Sequence, residues 1–143
     1  MRYFEYEHTV GFQETNLIGN VYYVHYLSWQ GRCREMFLHE HAPSVLEDIA
    51  GGLKLATVRV SCEYEEELLA FDKVAVRMSL ATLKPSGMTL RFTYVKREPN
   101  REPGRETIVA RGEMEIACLR GTAAVPVPEE LREALRPYRE EAA

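Results

Sequence analysis

The stretch ETNLIGNVYYVHYLSWQGRCR, Glu14 to Arg34, decides how this chain reads. A polar turn containing Gly19 runs straight into an aromatic-rich segment, Val21 to about His39, that holds no Pro. Its apolar side chains, Val24, Tyr26, Leu27, Trp29, Met36, Phe37 and Leu38, fall on most sides of a helix, and a helix apolar nearly all round is a buried one. The first expectation is therefore a long central helix entered through a tight turn.

Working outward, residues 2–10 mix aromatic, β-branched and charged residues and predict a strand with Phe4, Tyr6 and Val10 on one face. After the helix, HAPSVLEDIAGG predicts a brief second helix stopped by Gly51 and Gly52, two glycines that also permit residues 42–53 to move as a gate. The period then drops to two. Val58, Val60, Cys62 and Tyr64 alternate with Thr57, Arg59, Ser61 and Glu63; Val74 to Leu80 and Leu90 to Tyr94 follow, joined through Lys84-Pro85-Ser86-Gly87. A last strand runs from Ile108 to Leu119, and REPNREPGRE before it reads as a solvated hairpin tip with an Arg-Glu-Pro echo. Pro128 suits the first turn of a terminal surface helix carrying Leu131, Leu135 and Tyr138. One strand, a long buried helix and about four antiparallel strands make a single α+β domain, residues 1–143, with a sheet wrapped around one helix. One sheet cannot cover such a helix on every side, which points to a homodimer with a shared sheet.

The composition is that of an ordinary globular domain, 45% hydrophobic and 28% charged. A net charge of −4 argues against nucleic acid, whose phosphates need clustered Lys and Arg. The N-terminus lacks a signal-peptide pattern and no run approaches membrane-spanning length, so secretion and membrane insertion are not expected. Cys33, Cys62 and Cys118 lie far apart without CxxC spacing, consistent with a reducing cytoplasm and with no metal site. His39 and His41 face different sides of a helix and lack a third ligand nearby.

Placed residue by residue, the opening stretch resembles single-hotdog thioesterases. In many of them an Asp-x-Asp loop is followed by a Gly, a Tyr and a helical Glu. Here the two Asp positions read Glu14 and Asn16, the Gly and Tyr match Gly19 and Tyr26, the Glu position reads Gln30, and a later Arg matches Arg34. Both acids that could serve as base are amides. Asn, Tyr and Arg without a catalytic carboxylate look like the thioesterases of enediyne polyketide biosynthesis, with Thr57 matching a further polar residue that lines the site in that group. The resemblance implies a hotdog fold, a dimer of dimers and no cofactor. It also implies hydrolysis of a long, partly conjugated acyl chain from the phosphopantetheine of an acyl carrier domain, with loss of carbon dioxide when the product is a β-keto acid.

Such a site must stabilise the negative charge that develops on a thioester carbonyl oxygen under attack by water or hydroxide. Arg34 and the orphan N–H groups at the helix start, near Tyr23 to Tyr26, suit that task, each donor being typically worth about 10² to 10³ in rate. Asn16 would orient the water or carbonyl but cannot take a proton. Asn16, Tyr26 and Arg34 are thus the candidate catalytic residues, and Gly19, Tyr23 and Thr57 the candidate substrate-binding ones. Each has a plainer reading. Arg34 could pair with Glu35 or Glu40, Tyr26 could be a core Tyr, Asn16 a turn former, and Thr57 a strand former. Tyr26 and Arg34, eight positions apart, lie about 80° round an ideal helix and are expected to border one cleft. His25 reads as a partly exposed helical His, and Tyr22, Tyr23, Tyr26 and Trp29 could line a tunnel for a flat polyene. The EYEEE run, Glu63 to Glu67, reads as a solvated edge, and Arg91, Lys96, Arg97 and Arg101 as the surface that meets a carrier domain. The rival functions are a general acyl-CoA thioesterase of the 4-hydroxybenzoyl type and a non-catalytic acyl-binding module.

Overall fold

The computed structural model describes residues 2–97 and 106–140. Strand β1 (Phe4–Thr9) leads through a 3-10 turn (Phe12–Glu14) to helix α1 (Val24–His41) and the short helix α2 (Pro43–Ala50). Four long antiparallel strands follow, β2 (Leu53–Tyr64), β3 (Lys73–Lys84), β4 (Gly87–Arg97) and β5 (Glu106–Arg120), then a two-residue β6 (Ala123–Ala124), helix α3 (Glu129–Leu135) and a 3-10 turn (Arg136–Tyr138). The sheet order is β1-β3-β4-β5-β2, with β6 pairing on β5. The Arg-Glu-Pro echo at residues 98–103 lies outside the described residues.

α1 lays Tyr26, Trp29, Gln30, Cys33, Phe37 and Leu38 into the concave face of the sheet, over Val76, Met78, Phe92, Tyr94, Met114 and Ile116. It is not buried on every side, for Val24 is exposed and Leu27 and Met36 only half-buried. At its C-terminal end Phe37 meets Phe4 and Tyr138 edge-to-face, with ring centroids 5.4 and 5.7 Å apart, so β1, α1 and the C-terminal segment share one core. Leu131, Leu135 and Tyr138 are buried, as the apolar spacing of the terminal helix predicts.

The largest departure from expectation is β2. It begins at Leu53, five residues before Val58, and a bulge between Thr57 and Arg59 leaves Val58 unpaired. Directly opposed residues share a face, and Leu55, Thr57, Val60, Cys62 and Tyr64 oppose Cys118, Ile116, Met114, Gly112 and Ala110, all buried on β5. Thr57 therefore belongs to the inner face and Val58 does not: the bulge shifts the alternation by one residue where a simple period of two puts the valines in phase. Along its other edge β2 pairs with no strand among the described residues, and Val58 and Val60 remain 60% and 36% exposed.

Candidate active site

The loop between the first 3-10 turn and α1 is folded by its own polar groups. Thr15 bridges Val21, the Asn16 N–H donates to the Asn20 carbonyl at 2.8 Å, and the Asn16 side-chain Oδ1 accepts the Ile18 N–H at 3.0 Å. Gly19 closes the turn with φ +92°, a conformation open to Gly at no steric cost. The Val21 N–H then donates to the Leu68 carbonyl at 2.9 Å, which lays the loop along the segment after β2.

This geometry opens a pocket of ≈370 Å3 lined by Asn16, Asn20, Val21, Tyr22, Tyr23, Tyr26, Tyr64 and Glu65 to Glu67. The acidic run read as a solvated edge thus forms one wall. Asn20, which the sequence did not single out, holds Glu67 through Nδ2 at 3.3 Å, while its buried Oδ1 has no partner among the described residues. The Tyr64 hydroxyl donates to the Tyr23 carbonyl at 2.9 Å, and the Tyr26 ring stacks edge-on to Tyr64 and Tyr94 with centroids 4.8 and 5.5 Å away. Burial, and then the charges it would face at Cys62, Tyr64, Glu67 and Asp72, push the Tyr26 phenol up to about 12, so it stays a proton-bearing donor throughout the neutral range. At the helix start the N–H groups of His25 and Tyr26 are taken by the carbonyls of Tyr22 and Tyr23. That leaves the Tyr23 and Val24 N–H groups as the donors at the positive end of α1.

Arg34 stands elsewhere. It lies about 12 Å further along α1 than Tyr26 and lines a second, mainly apolar groove of ≈540 Å3 with Leu38, Leu46, Ile49 and Leu53 to Ala56. Within one protomer the structure does not bring Tyr26 and Arg34 into one cleft, because 80° of rotation is accompanied by more than two turns of translation. Arg34 is not paired with Glu35 or Glu40: Glu35 bonds Arg32, and among the described residues the Arg34 Nη1 meets only the Met114 sulfur, at 3.5 Å. Burial, opposed by the Glu35 charge, pushes the guanidinium pKa below its usual value, yet an Arg keeps its proton at neutral pH. Its N–H donors are consequently not spent on a carboxylate. The groove narrows past Arg34, Leu38 and Leu55 into an apolar seam bounded by Leu90, Leu131 and Leu135. Thr57, one residue beyond Ala56, is exposed on the inner face of β2.

Gln30, at the position of the helical acid, is fully buried. Its Nε2 donates to the Ser61 carbonyl at 3.0 Å over Gly112, where a Cβ would stand 2.6 Å from that same carbonyl. Its Oε1 has no partner among the described residues. The other acid position, Glu14, does carry a carboxylate, but both oxygens are occupied: Oε1 accepts the Gly11 N–H at 2.8 Å and lies 2.7 Å from His8 Nε2, and Oε2 accepts the Trp29 indole N–H at 2.8 Å. Burial works against the charge, yet these bonds hold the carboxyl below its usual value. A carboxylate that already accepts three hydrogen bonds and is more acidic than usual is a poor base.

The surface cations read as a carrier-docking face are neutralised within the protein. Arg91 pairs with Glu113 and Glu140, Arg97 with Glu5 and Glu7, and Lys96 with Asp72; Arg101 lies outside the described residues. His25 is half-buried on α1 beside Tyr22, as expected of a helical His. No helix among the described residues is long and apolar enough to cross a membrane.

The dynemicin thioesterase, whose crystal structures record induced-fit and allosteric effects upon polyene binding, is 44% identical, with 98% of this chain and 99% of that chain covered and a TM-score of 0.90. A gentisyl-coenzyme A thioesterase is 26% identical over 92% of this chain and 98% of its own, with a TM-score of 0.77. A 1,4-dihydroxy-2-naphthoyl-CoA thioesterase from Synechocystis, 19% identical over 94% and 96%, shares the fold with a TM-score of 0.82. No curated protein matches the sequence. Residues 10–135 match the thioesterase-like superfamily, and with the sheet wrapped on α1 as described, the chain belongs to that family of hotdog-fold thioester hydrolases.

Proposed function

We propose that this protein hydrolyses a linear polyene or β-keto acyl thioester from the acyl carrier domain of an iterative, enediyne-type polyketide synthase, and does so without a carboxylate base. The observation that carries the substrate class is the 44% likeness, over nearly the whole of both chains, to a thioesterase that binds a polyene. The groove beside Arg34 supports it, being mainly apolar and lined by Leu38, Leu46, Ile49, Leu53 and Leu55. Hydroxide, or water that gives its proton to solvent, attacks the carbonyl carbon; the oxyanion is held by Arg34, the Tyr23 and Val24 N–H groups and the Asn16 side-chain NH2, and collapse breaks the C–S bond to release a thiolate that solvent protonates to the carrier thiol. A β-keto acid product then loses carbon dioxide in solution. The three hydrogen bonds that Glu14 already accepts and the amides at positions 16 and 30 support a mechanism in which no side chain takes the proton. Three free cysteines, two of them buried, fit a cytoplasmic enzyme acting beside its synthase.

A homodimer joins the two halves of the site. Antiparallel pairing of two β2 edges about Val58 sets the Leu53–Ala56 end of one strand, with its Arg34 groove, beside the Ser61–Tyr64 end of the partner strand, with its Tyr26 pocket. The charges agree. Lys54 and Arg120 flank one end and Glu63, Glu65, Glu66 and Glu67 the other, so self-pairing about a twofold axis opposes unlike charges while covering Val58 and Val60. The full assembly is a dimer of such dimers.

The test is single-turnover hydrolysis of a β-ketoacyl or polyene carrier-protein thioester against the matching acyl-CoA, for wild type and Arg34→Ala. Cleavage of the carrier substrate that is lost in the variant is the expected result. Preference for the acyl-CoA would move the assignment to a general acyl-CoA thioesterase, and no cleavage of either would move it to an acyl-binding protein.

A further inference from the structure

The loop that carries Asn16 is an exposed element, with Leu17 and Ile18 almost wholly in solvent at its tip. Its backbone bonds run to itself and to Leu68, and what ties it to β1 and α1 is the side chain of Glu14. That carboxylate gathers donors from three places: the Gly11 N–H before the turn, His8 on β1 and the Trp29 indole on α1. The Tyr6 hydroxyl stands 3.2 Å from His8 Nδ1, which favours the His8 tautomer that donates to Glu14 through Nε2. The Glu14 backbone carbonyl accepts the Tyr22 N–H at 2.9 Å, immediately before the Tyr23 and Val24 donors. One residue therefore fixes both the turn bearing Asn16 and the entry angle of α1.

Resting on the hydrolase reading, we propose that Glu14 is a positioning residue for thioester hydrolysis, clamping the Asn16 loop to the start of α1 through Gly11, His8 and Trp29. The negative charge is what the clamp needs, because three N–H donors converge on two oxygens and charge-assisted bonds of this kind are about twice as strong as neutral ones. A glutamine of the same volume offers one acceptor oxygen and turns an NH2 toward at least one donor. Rotation of the loop by an ångström would then separate the Asn16 amide from the oxyanion donors, a misplacement that can cost about 10²-fold in rate.

The test is Glu14→Gln, with Glu7→Gln on β1 as a control outside the network, both first shown to fold by circular dichroism. Two readouts are needed. The kinetic one is a fall in kcat by about 10- to 100-fold with KM little changed, together with non-additive losses in a Glu14→Gln, Trp29→Phe double-mutant cycle. The second is independent of activity: Trp29 is the sole tryptophan, so a single indole N–H resonance should move and exchange faster in Glu14→Gln and stay put in Glu7→Gln. Wild-type kcat in Glu14→Gln, measured on a thioester that the parent protein cleaves, overturns the positioning role and leaves the hydrolase reading standing. An unmoved indole resonance overturns the clamp itself. A parent protein that cleaves no thioester defeats the hydrolase reading and the positioning role with it, while the resonance still decides the clamp.

Discussion

Asn16 spends its side-chain oxygen on the Ile18 N–H of its own turn, so what it offers a substrate is the amide NH2. Asn16→Asp therefore removes a donor and adds a charge beside a developing oxyanion. Its kcat/KM should fall, or at most stay within about tenfold of wild type, since a working general base would add about 10² to 10⁴. A gain of that size would mean an acid-dependent site whose acid is missing. Arg34 presents N–H donors that no carboxylate among the described residues engages, and Arg34→Ala should lower single-turnover hydrolysis by about 10² to 10³, the usual worth of an oxyanion donor. At Gly112 the reasoning concerns space. A methyl there would press on the Ser61 carbonyl and the Gln30 amide, so Gly112→Ala should cost about 1–3 kcal/mol in a urea melt. The polar turn of Asn16 and Gly19 and the aromatic helix of Tyr26 were legible as local structure, and it was the family resemblance that singled these residues out. Asn20 and Gly112 were not, because their roles come from segments 47 and 82 residues away, Glu67 and Gln30, which no local pattern connects.

At the scale of elements, α1, α2 and the β3–β4 hairpin follow from period, glycine stops and turn chemistry, and they appear within a few residues of the expected bounds. β2 was misphased for a physical reason: a bulge is one extra residue, invisible to a count of alternating side chains. The partners of the surface cations were hidden for another. Arg91 and Arg97 are drawn into cross-strand pairs with Glu113 and Glu5, and a pair formed across a sheet has no signature along the chain. The exposed, apolar edge of β2 is the element whose pairing the proposed dimer requires. Val58→Lys with Val60→Lys should halve the size of the assembly in sedimentation velocity at micromolar concentration, by splitting each β2-paired dimer, while circular dichroism stays unchanged. If the double variant sediments as wild type does, β2 is not the seam.

For the molecule as a whole, the aromatic cluster between α1 and the sheet sets an alkaline limit. The Tyr26 and Tyr64 phenols, ordinarily near 10.0, are pushed up to about 12, chiefly by burial. A raised pKa means the folded state holds the proton more tightly, so this stability is complete below pH 10 and is lost as pH climbs through about 12. Thermal melts from pH 9 to 12 should show the melting temperature falling over that window, and Tyr64→Phe should soften the fall. The division of the site between Tyr26 and Arg34 leads to a sharper expectation. If each site draws Asn16 from one chain and Arg34 from its partner, Asn16→Ala and Arg34→Ala homodimers are both inactive, yet a mixed dimer contains one site with neither change and one with both. Random reassembly of equal amounts makes half the dimers mixed, with one of two sites intact in each, so about a quarter of wild-type activity should return. Sites contained within single chains would recover nothing on mixing, because every chain would still carry its own lesion. The recovered fraction therefore reads the site's architecture directly, and it does so without knowledge of the natural acyl chain.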